Sequence, residues 1–268
     1  MNKSTQVAED TGGAMKLGLI GIVHEEANAD FWGTMERLAA MGYQGVETVE
    51  RHLLDGDPAT NLARFRTLGL EHLTVSADRD ALRDRLDDIR RRAVDSGAGR
   101  VSVWWSEADS REGLRRDAEL YNSAGSLLRK DGIKLCYHNH DQEFRNLIDG
   151  AYALDFLALN TDPAALFFNI DIGWVAVGGE DPARVLARLK GRVPAIHVKD
   201  FADLSDRKSF TAVGTGAVDI AGALQVAEQT GVEWAIVEQD TLRNLSAIET
   251  ATAAVLHLRE RGYGATPP

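Results

Sequence analysis

The sequence predicts an α/β protein built as a single (β/α)8 barrel. Three observations carry that expectation. The 268-residue chain alternates short apolar runs with longer amphipathic segments, eight of each. Apolar runs set between amphipathic helices imply parallel strands buried on both faces. A barrel of this type needs roughly 250 residues, so one domain uses the length. An open doubly wound sheet would alternate too, but the count of eight favours closure.

The elements follow in order. Strands are predicted at Lys16–Ile22, Gly45–Val49, Leu73–Ser76, Arg100–Trp105, Ile133–Asn139, Ala165–Asp171, Pro194–Val198 and Trp234–Glu238. Helical spacing of apolar residues marks Asp30–Met41 (Phe31, Met35, Leu38), with Gly42 as its stop. The same spacing marks Thr60–Leu68, Asp80–Ser96, Ser110–Lys130, Ala151–Leu159, Pro182–Lys190, Ile220–Thr230 and Leu245–Arg261. A long loop is expected from Asp200 to about Val218. Residues 1–14 are polar with a Gly pair and read as a disordered tail, leaving 15–268 as the barrel domain.

Composition narrows the function classes. A formal net charge of −11 disfavours a nucleic-acid surface, which needs a basic stripe. The local arginines Arg83, Arg85, Arg90, Arg91 and Arg92 are interleaved with Asp84, Asp87 and Asp88, as on a solvated helix face. The single cysteine, Cys136, rules out an intramolecular disulfide and suits a reducing, cytoplasmic setting. It sits in an apolar run and reads as a buried, inert thiol. No apolar stretch approaches the roughly 18 residues of a membrane span. Neither a nucleic-acid nor a membrane partner is expected, and a homo-oligomer is compatible with the composition.

In such a barrel the chemistry sits at the C-terminal ends of the strands. Strand two carries Glu47. Strand five ends in Tyr137-His138-Asn139-His140, with Glu143 just beyond. Strand six ends in Asp171, strand seven in His197-Val198-Lys199-Asp200, and strand eight in Glu238-Gln239-Asp240. Strands five to eight are consecutive around a barrel, so these groups share one mouth. Carboxylates and an imidazole gathered there repel without a cation, and they form a natural ligand set for one divalent metal ion. An oxygen-rich set suits Mn2+, Mg2+ or Co2+ and admits Zn2+. Lys199 is a candidate catalytic residue at the same mouth, able to hold a substrate hydroxyl. His138 and His140 project on the same side of strand five, and at least one of them is expected to reach the pocket. Glu47, His24, Trp105 and Trp174 are candidate substrate contacts. Gly214-Thr215-Gly216 allows close backbone approach to a ligand, yet no Lys or Arg cluster accompanies it, so a phosphate on the substrate is not required. Gly18-Leu19-Ile20-Gly21 is no dinucleotide fingerprint.

Taken together, YHNHDQEF (Tyr137–Phe144), NIDIGW (Asn169–Trp174), GGEDP (Gly178–Pro182), HVKD (His197–Asp200), VGTGAVD (Val213–Asp219) and VEQD (Val237–Asp240) resemble the sugar phosphate isomerase/epimerase group of the xylose isomerase-like TIM-barrel superfamily. The resemblance runs from about Lys16 to the end. It implies a metal held, as in ketose 3-epimerases, by Glu143, Asp171, His197 and Glu238, with Mn2+ the leading ion. His138 and His140 are alternatives to Glu143. The YHNH form resembles the branch containing inosose dehydratase-like proteins.

The resemblance implies a sugar or polyol isomerase/epimerase. Proton abstraction next to a carbonyl would pass through a metal-stabilised enediolate, with Glu143 and Glu238 as acid and base. A lyase that loses a leaving group from the same enediolate is the alternative. Endonuclease IV shares the superfamily, but its three-zinc cluster and basic surface make it a remote fit to this composition.

Overall fold

A computed structural model of the chain describes residues 15–104, 106, 110–145 and 147–264. The expected N-terminal tail and Trp105 lie outside them. We number the barrel strands β1 (Lys16–Ile20), β2 (Gly45–Val46), β3 (Glu71–His72 and, past Leu73, Thr74–Asp78), β4 (Arg100–Trp104), β5 (Lys134–His138), β6 (Leu166–Asp171), β7 (Ala195–Val198) and β8 (Trp234–Glu238).

The sheet runs from Glu71–His72 through β2, β1, β8, β7, β6, β5 and β4 to Thr74–Asp78. Both ends of that list are pieces of β3, so the parallel sheet returns on itself. Bonds across the seam continue the ladder: Leu73 N–H donates to Val46 O at 3.0 Å and Thr48 N–H to Thr74 O at 2.9 Å. Leu73 fills the barrel interior beside two strand glycines. A Cβ on Gly45 would lie 2.7 Å from Leu73 Cδ2, and one on Gly18 would lie 2.8 Å from Leu73 Cδ1. Glycine is needed at both places because a neighbouring side chain occupies the Cβ space.

The helices form largely where their spacing places them. Phe31–Met41 buries Met35 and Leu38, starts on the Asp30 side chain and ends on left-handed Gly42. The predicted helix Asp80–Ser96 is two helices, Arg79–Asp84 and Leu86–Ser96, broken at Arg85 (φ −134°, ψ 31°). The apolar period of Leu82, Leu86, Ile89 and Ala93 runs straight through the break, so periodicity cannot register it. The arginine–aspartate tract is paired, with Arg91 on Asp88 at 2.6 Å and Arg83 on Asp84 at 2.8 Å.

Strand two is shorter than its apolar run. Its ladder ends at Val46, and Thr48 turns into the left-handed region at φ 59°. The loop after β7 also has internal order. Asp200–Phe201 pairs antiparallel with Phe210–Thr211. The buried Asp200 carboxylate accepts N–H bonds from Gly214 (3.0 Å), Gly216 (2.9 Å) and Val218 (3.2 Å). No helix among the described residues is long and apolar enough to cross a membrane.

Candidate metal centre

The parallel register carries the functional side chains to one level. His138 ends β5, and Asp171, at the end of β6, pairs with His197 of β7. Glu238 ends β8 opposite Ile20 of β1. One ligand atom from each of His138, Asp171, His197 and Glu238 lies within 4.8 Å of all the others. Asp171 also caps the helix Ile172–Val177 by accepting Trp174 N–H at 2.9 Å. Asn139 fixes its backbone, accepting Asp171 N–H at 3.0 Å.

His197 sits between two carboxylates. Its Nδ1 lies 2.6 Å from Glu238 Oε2 and its Nε2 lies 3.0 Å from Glu47 Oε2. Burial alone would lower its pKa, but Glu238 and Glu47 push it up to about 10. Burial, together with the neighbouring His197, holds His138 well below the usual imidazole range, so the ring is neutral and one nitrogen keeps a lone pair. Its Nδ1 has no hydrogen-bond partner among the described residues. Burial raises Asp171 to about 6 against the pull of Lys199. Glu238 resists burial and stays well below the usual carboxylate range because Lys199 and His197 face it.

Charge counting tests the fit of a cation. Lys199 Nζ lies 3.0 Å from Asp171, 3.3 Å from Glu238 and 2.8 Å from Asp240. Arg100 Nη2 lies 3.9 Å from Glu47. Four carboxylates thus face Lys199, Arg100 and the protonated His197, and a dication that displaced the His197 proton would leave the group neutral. Two imidazoles and two carboxylates are donors of the type that divalent transition metals take. The residues fit the ion.

The set that converges has His138 where Glu143 was expected. Glu143 is fully buried in the turn Gln142–Phe144 and is not among the converging groups. One of its oxygens accepts the Tyr137 hydroxyl and the other accepts His140 N–H at 2.9 Å. Burial pushes its pKa up to about 7 against the Tyr137 hydrogen bond. Lys199 is buried and its pKa is raised, since its three carboxylates outweigh desolvation, so it stays charged and acts as a fixed donor.

The mouth holds a cavity of about 230 Å³, lined by Trp104, His140, Ser76, Ser102, Glu47 and the metal-ligand candidates His138, His197 and Glu238, with Ile20. His140 is half-buried there, its pKa lowered to about 4 by burial and by Lys199. The other candidates lie apart from this lining. His24 is exposed, bonds Asn28 at 3.2 Å and borders a separate cavity. Trp174 is buried, with its ring 5.0 Å from Phe201. The glycines of the loop after β7 wrap Asp200 of this same chain, so that backbone cradle is filled. Burial raises the Cys136 thiol to about 12, which keeps it inert. Arg100, Asn169 and Asp240 were given no role by the sequence. Asp240 had a signal, two residues beyond Glu238 on the same side of the strand direction.

A family model described as xylose isomerase-like TIM barrel matches residues 35–261. Inosose dehydratase of Klebsiella pneumoniae (strain 342) is 27% identical over 170 residues, covering 56% of this chain and 56% of that protein. The chain thus spans about half the length of the curated relatives it matches. Among solved structures, a sugar phosphate isomerase/epimerase from Parabacteroides distasonis ATCC 8503 superposes with a TM-score of 0.75 at 20% identity, covering 96% of this chain and 98% of that one. The IOLI protein with a binding zinc atom superposes with a TM-score of 0.73 at 14% identity, covering 94% and 100%. At such identities the likeness is one of fold. The family match covers most of the chain, and the protein belongs to the xylose isomerase-like TIM barrel family.

Proposed function

We propose that this protein is a metal-dependent sugar or polyol isomerase/epimerase that abstracts a proton next to a carbonyl. The observation that carries the proposal is the convergence of His138, Asp171, His197 and Glu238 at the C-terminal mouth, with negative charge in surplus. A divalent cation held there supplies Lewis-acid stabilisation of the negative charge that develops next to a carbonyl. The two imidazoles favour Zn2+ or Co2+ over Mg2+, with Mn2+ also accepted.

The remaining chemistry belongs to the chain. Glu238 is ionised and faces the cavity, ready to take a proton. His140 is neutral and lines the same cavity, placed to receive or return one. Lys199 holds Glu238 and Asp171 in place. Trp104, 43% exposed, offers a flat apolar face to a sugar ring, and Ser76 and Ser102 offer hydroxyls. The cavity is smaller than the roughly 300–1,000 Å³ of drug-sized sites, which suits one ring. Its lining contains no Lys or Arg among the described residues, and the glycine loop is taken by Asp200. Both features favour an unphosphorylated substrate.

A second reading is supported by the sequence relatives, which are inosose dehydratases. It begins with the same proton abstraction and ends with loss of water from the adjacent carbon. Metal-loaded protein incubated in D2O with ketoses, keto-inositols and 3-keto glycosides separates the two. Deuterium gain with conserved composition supports isomerisation, and loss of one water supports the dehydratase. No exchange into any of these carbonyl compounds would sink both.

A further inference from the structure

Resting on the metal-centre reading above, we propose that Glu47 is a positioning residue: it holds the Nε2 proton of His197 and so turns the Nδ1 lone pair toward the cation. Glu47 is buried, 1% exposed, and its carboxylate is itself held at Oε1. Thr74 Oγ1–H donates to Oε1 at 2.6 Å, and Arg100 Nη2 stands 3.9 Å from the same oxygen. Arg100 Nε in turn donates to Thr74 Oγ1 at 3.3 Å. That leaves Oε2 facing His197 Nε2 at 3.0 Å. A carboxylate oxygen only accepts, so the contact requires the proton on Nε2.

Two neighbouring contacts agree with this assignment. Nδ1, on the far side of the ring, lies 2.6 Å from Glu238 Oε2. Two bare lone pairs do not approach so closely, so that gap holds a proton, which a bound cation would displace. Asn169 presents Nδ2 to His197 Nε2 at 2.8 Å, while its buried Oδ1 has no hydrogen-bond partner among the described residues. Turning the amide over resolves both: Oδ1 then accepts from Nε2–H alongside Glu47. The backbone adds a third sign. Thr48, directly after Glu47, is held at φ 59°, a left-handed conformation costly for a branched residue. This kink ends the short β2 ladder where Glu47 enters the barrel.

A histidine that binds metal through one nitrogen is oriented by what its other nitrogen donates to, and loss of such a partner weakens metal binding about 10–100-fold. The test uses zinc titration by calorimetry on the full chain, with wild type, Glu47→Gln and Thr74→Val. Glu47→Gln keeps the shape and removes the charge. It is expected to bind zinc at least about 10-fold more weakly. Thr74→Val, which only loosens Glu47, is expected to shift affinity the same way by a smaller factor, and it serves if Glu47→Gln does not fold. A two-bond 1H–15N spectrum of histidine-labelled, zinc-loaded wild type is expected to show His197 with zinc on Nδ1 and the proton on Nε2. Zinc on Nε2, or a folded Glu47→Gln that binds zinc as tightly as wild type, overturns the inference. So does unchanged affinity in Thr74→Val where Glu47→Gln fails to fold. Wild-type protein that takes up no divalent cation instead sinks the proposed function, and this inference with it.

Discussion

The 2.6 Å gap between His197 Nδ1 and Glu238 Oε2 is the point where the proposed cation and a proton compete. Removing His138 takes away a neutral imidazole donor, so His138→Ala is expected to weaken cation binding by an order of magnitude or more, measured by titration. Glu143→Gln is expected to leave cation affinity within about two-fold, because its oxygens are committed to Tyr137 and the His140 backbone. Its effect belongs to stability. The folded pKa of Glu143 is raised from 4.5 to about 7, so the fold prefers the protonated carboxyl. That contribution is full below the unfolded value and is lost as pH rises through about 7. At one pKa unit per about 1.4 kcal/mol, the group costs on the order of 3 kcal/mol when ionised. Urea unfolding at pH 5 and pH 8 is expected to show a smaller fall in stability for Glu143→Gln than for wild type. An equal fall would remove Glu143 as the source.

At the scale of elements, the loop after β7 is organised by one buried carboxylate. Asp200 gathers the N–H groups of Gly214, Gly216 and Val218, and Gly214 takes φ +88° to do so. A Cβ on Gly216 would collide with the Asp200 carboxylate and Phe201 O. Asp200→Ala strands backbone donors whose bonds to a charge are worth about 1.5–3 kcal/mol each. It is expected to destabilise the protein by several kcal/mol and to make the loop the first site of limited proteolysis. Retained stability with an uncut loop would contradict this role. The loop also carries Arg207, which bridges at 2.7 Å to Asp141 beyond β5, so its order bears on the mouth of the barrel.

At the scale of the whole molecule, closure happens at β3, where Leu73 joins the two ends of the sheet and packs against Gly18 and Gly45. Gly45→Ala places a methyl 2.7 Å from Leu73 and is expected to cost about 1–3 kcal/mol, read as a lower urea midpoint. A cation held by His138, Asp171, His197 and Glu238 would act at the same scale, because those residues come from four consecutive strands. Saturation at 100 times Kd adds about 2.7 kcal/mol. A chelator is therefore expected to lower Tm by roughly 5 °C or more. An unchanged Tm in protein shown to have lost its metal would argue against ligands spread across those strands.

Most of the barrel was legible in the chain because its signals are local. Apolar runs mark β1 to β8, and helix spacing with stops such as Gly42 marks the layer outside. The strand ends likewise announced Asp171, His197 and Glu238, since a residue at the end of a barrel strand has a known direction. The break at Arg85 was hidden because the apolar period continues across it. The choice between His138 and Glu143 was hidden for a different reason. The YHNHDQEF segment leaves its strand and turns, and whether an imidazole or the later carboxylate faces the mouth depends on Tyr137 and the His140 backbone claiming Glu143. Glu47 showed the same limit: its position at the end of the second apolar run was clear, but only the closed barrel brings it to His197, 150 residues away. The sequence by itself determined the strands, their order and which of them carry ionisable ends. The tertiary structure decided which groups converge, because that depends on side chains from distant strands competing for the same hydrogen bonds and the same charge.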